Sequence, residues 1–490
     1  MLTRRELLRQ LGTGVGAASI AAIGGCGGRQ EIERGEQTSV VSADLRARLA
    51  EIVDELETRY PIATLLATRT RTLDVGRDAA VAGIGEKTAQ TLAVQVFDGV
   101  SWHARSSSDL SPRGARELAK RLIEQRPRVG ESAKRTRDTR VLDLPPRGDR
   151  SGFGLSSSAL LAAAGSLYAR ATKFGGSRTI YRGALLSTDA QDTLFIGNGR
   201  NTRQTISRTR GAISFVARGS SGIVSEEVQG STTGNPSSLE ISDADLGAAS
   251  RSSLAIVSAD IPFEPDVEVI LDEAVTATIA QTIAKGLLNA RHWVSGSSAL
   301  ADKVGDQVAD RRFSMSDDPT LKDGYASYDL DDEGADATRT PLIDDGILVA
   351  PFCDRTSASV LRRKRTGHGR LHSSGITRAE FSNLVVAPGT VGKPDLVASV
   401  AKGYLIEGAA VVASDPQRRQ VVLRVRRARE ILRGSLSGRI VGPLMLRADV
   451  FALLLAVTGA TNTTRRFTVS APLCQAIDAP MLLTRAELGP

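Results

Sequence analysis

Aromatic side chains are scarce in this chain: 11 Phe, 6 Tyr and 2 Trp among 490 residues. Its cores must therefore rest on Ala, Val, Leu and Ile, and few rings are left on which nucleobases could stack. Cysteine (3) and histidine (4) are scarcer still. Three cysteines cannot build a disulfide framework, and four histidines leave few ways to assemble a metal centre. Past residue 26 no apolar run approaches the ~20 residues that a membrane-crossing helix needs. A Gly-x-Ser-x-Gly elbow and a Gly-x-x-x-x-Gly-Lys phosphate loop are both missing, so the sequence offers neither a serine-hydrolase nor a nucleotide signature.

What is present is a mildly basic chain, with 63 Lys and Arg against 55 Asp and Glu. The basic residues are spread along it. Only short clusters occur, such as Arg362, Arg363, Lys364 and Arg365, which has no interleaved aromatics, so the balance reads as a solvated surface and no nucleic-acid partner is expected. A length of 490 residues exceeds one ordinary core and calls for two or more domains.

The first residues, Thr3-Arg4-Arg5-Glu6-Leu7-Leu8-Arg9, have the form of a twin-arginine export signal centred on Arg4 and Arg5. A charge-free, Gly- and Ala-rich stretch from Leu11 to Gly25 follows, short enough for a signal-peptide core. It ends Ile23-Gly24-Gly25-Cys26, small residues before a cysteine, as in a bacterial lipobox. Residues 1–26 are thus expected to be a signal, Cys26 a lipidated first residue, and 27–41 a polar tether. The expected location is the periplasmic side or cell envelope, lipid-anchored. Cys353 and Cys474 sit in apolar surroundings and are expected to be two separate buried thiols, although an oxidising compartment would allow them to pair.

An α+β architecture is expected, with an N-terminal α+β domain over 42–260 and a β-rich domain over 261–490. Apolar spacing predicts helices from Ser42 to Tyr60, Ser111 to Gln125, Ser156 to Thr172 and Asp272 to Ala290. Helices are also expected near Lys393 to Gly403 and Asp449 to Val457. Alternation predicts strands at Ile62–Thr70, Gln90–Phe97, Val100–Arg105, Ile180–Leu186, Thr193–Gly197 and Ala212–Ala217. The Gly-, Ser- and Thr-rich segment from Gly219 to Ser238 reads as a flexible loop.

From Asp266 to Pro480 the order of landmarks resembles the TldD/PmbA family of metallopeptidases, also called modulators of gyrase. Those landmarks are Gly305-Asp306-Gln307-Val308, Asp317-Asp318-Pro319, Asp331-Asp332-Glu333-Gly334, Asp344-Asp345-Gly346, Thr366-Gly367-His368-Gly369, Ala428 to Gly434, and Ala479-Pro480. The resemblance implies a clamp-like dimer. It also implies, in active members, a His-Glu-x-x-x-His motif on the first helix of the C-terminal domain, completed as a zinc site by a cysteine near the C-terminus. Counting places that motif at Gln281-Thr282-Ile283-Ala284-Lys285-Gly286 and the cysteine near Arg466. Gln281, Thr282 and Gly286 stand where His, Glu and His are needed, so zinc is not expected.

The expected role is a non-catalytic subunit or peptide-binding scaffold. Its partner is a second copy or a zinc-bearing relative, and its ligand a peptide. Lys285 is expected to line the interior channel, with Gln281 and Thr282 on the same face. The alternatives are an active peptidase with another site, or a lipoprotein that binds peptides alone. His368 and His372 have metal-pair spacing, but flanking glycines argue against a helix there. The acidic turn at Asp331 lacks a calcium loop's twelfth-position Glu, since Thr340 stands there. It is expected instead to grip a basic segment of this chain or of a partner.

Overall fold

The structure, a computed structural model, describes residues 42–125, 141–147, 156–219, 222–255, 257, 263–469 and 473–490. Arg4, Arg5 and Cys26 lie outside the described residues.

The N-terminal part is one antiparallel sheet with helices on one side. Its strands run in the order Trp102–Ser107, Ala82–Phe97, Ile62–Asp78, Thr179–Gly197 and Arg200–Gly219. Gly222–Thr233 extends it by pairing with Arg200–Gly219, and the short Val141–Asp143 runs parallel to the start of Arg200–Gly219. Helices Ala43–Glu57 and Pro112–Gln125 bury Leu49, Ile52, Val53, Leu56, Leu118 and Leu122 against Leu65, Val94 and Ile196 of the sheet. Helix Ser157–Thr172 and helix Asp243–Ser253 cover the other end, over Ala184, Ile213, Phe215 and Val228. Ser42 and Ser156 cap their helices through hydroxyls that accept from Leu45 and Ala159 N–H.

Two sequence expectations fail here. Ile180–Leu186 and Thr193–Gly197 are parts of one 19-residue strand, Thr179–Gly197. Its middle, Ser187 to Asp192, is polar because alternate residues there face the second domain rather than water. The expected flexible loop from Gly219 to Ser238 is largely strand Gly222–Thr233. Its Gly230 lies opposite Gly211, and a Cβ on either would press within 2.6 Å of Glu240 O or 2.5 Å of Leu239. The two glycines form a dent that seats the segment leading into helix Asp243–Ser253. They are there for close approach, not for looseness.

Among the described residues the C-terminal part has a two-stranded sheet, Gly369–Leu371 with Thr377–Ala379, and two larger ones. In one, Lys402–Asp415, Glu264–Leu271, Leu482–Gly489, Leu444–Asp449 and Gln420–Leu432 pair in turn, and Gln420–Leu432 pairs back to Lys402–Asp415, closing a ring. The second has the order Ile347–Leu348, Thr340–Asp344, Met315–Asp317, Asn383–Val386, Gln475–Ala479 and Arg465–Val469. Helix Glu273–Ile283, capped by Asp272, touches strands of both sheets and buries Val275, Ile279 and Ile283. The expected single helix from Asp272 to Ala290 is interrupted. It changes to a π-helical turn over Ala284–Leu288 and restarts at Ala290–Val294 from an Asn289 cap. Tertiary bonds impose the break: Asn289 Nδ2 donates to Ala379 O, and Phe352 and Ala290 exchange backbone bonds with Leu288 and Phe352. The helix expected over Lys393 to Gly403 ends at Ala398. Gly403 is already in a strand, pressed so close to Glu268 O that a Cβ would come within 2.3 Å.

Candidate functional site

Two places concentrate polar chemistry: the helix face where the zinc motif should lie, and the acidic turn that joins the domains. On the helix, Gln281 and Thr282 are half-buried and Lys285 is exposed. The Thr282 hydroxyl donates to Thr278 O of its own helix. Lys285 Nζ lies 5.8 Å from the centroid of the Phe381 ring, a cation–π contact at the edge of range. The π-helical turn shifts Lys285 and Gly286 off the face that unbroken α-periodicity would give them. Gly286 abuts Pro416, and a Cβ there would sit 2.9 Å from the proline Cγ. A histidine at 286 could not be seated without moving that turn.

Zinc is the metal that a site at this place would carry. Zinc needs three protein ligands drawn from Cys, His and carboxylate. Gln281, Thr282 and Gly286 supply none. Arg466, at the place counted for the cysteine, is committed to Asp478 through two bonds of 2.7 Å and to Asp323 O. Among the described residues no group of three His, Cys, Asp or Glu is placed to hold a metal. These residues do not fit zinc, and no step is derived through it.

His368 and His372 are not a metal pair. They flank strand Gly369–Leu371, and extended backbone sets residues four apart roughly 13 Å from each other. His368 is fully buried, with Nε2 2.6 Å from Asp317 Oδ2 and Nδ1 2.9 Å from the Thr366 hydroxyl. His372 pairs with Glu380 at 3.2 Å. Cys353 and Cys474 are both free, the first buried and the second half-buried. Burial pushes the Cys353 thiol up to about 12, which makes it a poor nucleophile.

The acidic turn grips this same chain. Asp331 Oδ1 accepts from Glu333 and Ala335 N–H, and its Oδ2 from Gly369 N–H at 2.9 Å. Asp332 accepts from Leu371 N–H and from Arg370. Glu333 accepts from Arg355 N–H and the Thr377 hydroxyl, each at 2.6 Å. Burial raises the carboxyls of Asp331 and Glu333 above their ordinary range, each raised further by a neighbouring acid. Gly334, at φ +73°, packs beneath Phe195 of the N-terminal sheet. Thr340, the would-be twelfth ligand of a calcium loop, is instead the first residue of a strand.

Around this turn runs the seam between the two domains. The Arg355 guanidinium stacks 3.4 Å above the Trp102 ring and donates to Gln95, whose amide in turn donates to Gly375 O. Gln204 bonds Leu330 O and the N–H groups of Asp329 and Leu330. Asp336 takes a two-pronged contact from Arg200, both bonds 2.7 Å. Arg208, 1% exposed, donates to Tyr325 O, Ser327 O and Gln191 Oε1. Arg208 and Arg355 were not singled out by sequence, and Asp317 only as part of the Asp317-Asp318-Pro319 landmark. The only signal for Arg208 is its place in a run of alternating polar residues within a strand.

Comparison with known proteins bears on this geometry. Residues 265–485 match the family model described as PmbA/TldA metallopeptidase C-terminal domain. A metalloprotease of Methanocaldococcus jannaschii is 26% identical over 142 residues, 29% of this chain and 32% of that protein. A metalloprotease TldD homologue of Haemophilus influenzae is 32% identical over 108 residues, 22% of each chain. The chain thus matches a third or less of these relatives' own length. Among solved structures, TldE from Thermococcus kodakarensis superposes with a TM-score of 0.74 at 14% identity, covering 91% of this chain and all of that one. A putative modulator of DNA gyrase from Bacteroides thetaiotaomicron superposes with a TM-score of 0.75 at 16% identity, covering 91% of this chain and 98% of that one. At such identity the likeness is one of fold.

Proposed function

The chain belongs to the TldD/PmbA family through its C-terminal domain, and from that premise we propose that it is a non-catalytic member that holds peptides without cutting them. The observation that carries this reading is the side-chain chemistry at 281, 282, 286 and 466. A glutamine, a self-bonded threonine, a glycine wedged against Pro416 and an ion-paired arginine stand where three ligands and a general base would be needed. Gln281 and Lys285 offer a peptide hydrogen bonds and one positive charge. The chain works as a clamp-like dimer, with a second copy or with a zinc-bearing relative that supplies the cutting. The test is to incubate the purified chain with a mixture of unstructured peptides and follow them by mass spectrometry. The peptides are expected to remain intact. New termini that appear with this chain and disappear with a chelator would overturn the reading.

The twin arginines and the small residues before Cys26 further support export by the twin-arginine route and lipid anchoring at the cell envelope. Cys26→Ser is expected to move the protein from the membrane fraction to the soluble fraction, because the lipid anchor is then lost. A Cys26→Ser protein that sediments with membranes as the parent does would refute the anchor.

A further inference from the structure

Four polar side chains stand in one row across the N-terminal sheet. Asp74 lies opposite Ser187, Ser187 opposite Arg210, and Arg210 opposite Ser231. Each carries a buried atom, Asp74 Oδ1, Ser187 Oγ, Arg210 Nε and Ser231 Oγ, that has no hydrogen-bond partner among the described residues. Buried polar atoms in folded proteins are nearly always paired, so four in a single register row call for something that completes them. Ser187 is 1% exposed, while Asp74, Arg210 and Ser231 are half-buried, so the row can be reached from solvent.

The row lies between the domains. Two residues along the strands stands the next row, Thr72, Asp189, Arg208 and Thr233, roofed by Tyr325 O, Ser327 O and Lys322 O. Two residues the other way, Gln229 meets the Thr468 hydroxyl at 3.4 Å. The four side chains therefore stand between contacts to the segment around Tyr325 on one side and to strand Arg465–Val469 on the other. The Tyr325 hydroxyl, with Cys474 Sγ 3.9 Å away, also lies within the field of Arg210. Two interstrand spacings set the backbones of Asp74 and Arg210 roughly 10 Å apart, with Ser187 between them.

Resting on the peptide-holding reading, we propose that this row binds a free carboxylate, the C-terminal end of a peptide. Arg210 is its anchoring fork, and Ser187 and Ser231 are hydroxyl donors to the same group. A guanidinium presents its N–H groups in the planar geometry a carboxylate accepts, and here that fork is not spent on an acid of the described residues. Asp74, at the far end, repels a second anion and so sets the direction in which the chain end enters.

The test compares one peptide with a free C-terminus against the same peptide amidated, by calorimetry, on the parent, Arg210→Gln and Arg210→Lys. The free acid is expected to bind the parent about tenfold more tightly, as for one charge-assisted contact. Arg210→Gln should abolish that preference while leaving the amide's affinity unchanged, and Arg210→Lys should restore part of it. Thermal melting of each variant shows that it is folded. Equal binding of acid and amide by the parent would overturn the carboxylate site and leave the peptide-holding reading standing. If neither peptide binds, the peptide reading fails and N-acetylglycine against its amide decides the site: a preference for the acid that is lost in Arg210→Gln upholds it, and none refutes it.

Discussion

Asp317→Ala is expected to cost ~3–5 kcal/mol of folding stability, because the buried groups around its carboxyl lose their acceptor at about 1–3 kcal/mol each. Asp317 is fully buried in the middle of the second C-terminal sheet, between Thr340 and Leu384. Its oxygens accept from Ser382 N–H at 2.8 Å and the Ser382 hydroxyl at 2.9 Å, and Oδ2 lies 2.6 Å from His368 Nε2. Alanine leaves these groups without that carboxyl in a place water does not reach. Asp317→Asn keeps one acceptor oxygen and should cost less. Urea unfolding followed by far-UV circular dichroism measures both, and a loss below about 1 kcal/mol, the net value of a single ordinary hydrogen bond, would show that the pair is not the keystone described.

Arg208→Met is the second large effect, at ~3–5 kcal/mol, because two buried carbonyls and the half-buried Gln191 lose their donors at about 1–3 kcal/mol each before relaxation. Methionine keeps much of the side-chain volume, so the cost reports bonding rather than a cavity. Two of the acceptors, Tyr325 O and Ser327 O, belong to the C-terminal part. The loss should therefore appear as a loosened seam, with calorimetric unfolding broadening toward two transitions. Arg208→Lys, with a single ammonium, should recover part of the stability. A sharp single transition at the parent temperature for Arg208→Met would contradict the role given to this residue.

Much of the fold could be read locally. The helices at Ala43–Glu57, Pro112–Gln125 and Ser157–Thr172 announce themselves by apolar spacing, two of them also by a capping serine, because they cover one sheet face and keep the other side in water. Strands facing the second domain could not be read so. Ser187, Asp189 and Gln191 look like a turn because their alternation is polar on one face, and only the presence of the C-terminal part makes that face an interior. Gly211 and Gly230 sit opposite each other across two strands, so their shared purpose is invisible to any window of sequence. The π-helical turn at Ala284–Leu288 likewise comes from bonds to Phe352 and Ala379, which are remote in sequence. The acidic block from Asp331 to Gly334 stood out at once. Its task, gathering Gly369, Leu371, Arg355 and Thr377, is one of assembly, and sequence left open whether it gripped this chain or a partner.

The proposed absence of a zinc centre rests on the side chains at 281, 282, 286 and 466. The most direct measurement is zinc content. The purified chain is loaded with excess zinc, desalted against a weak chelator and analysed by elemental mass spectrometry. The account predicts zinc far below one per chain, with no change on Arg466→Ala. One zinc retained per chain would contradict it.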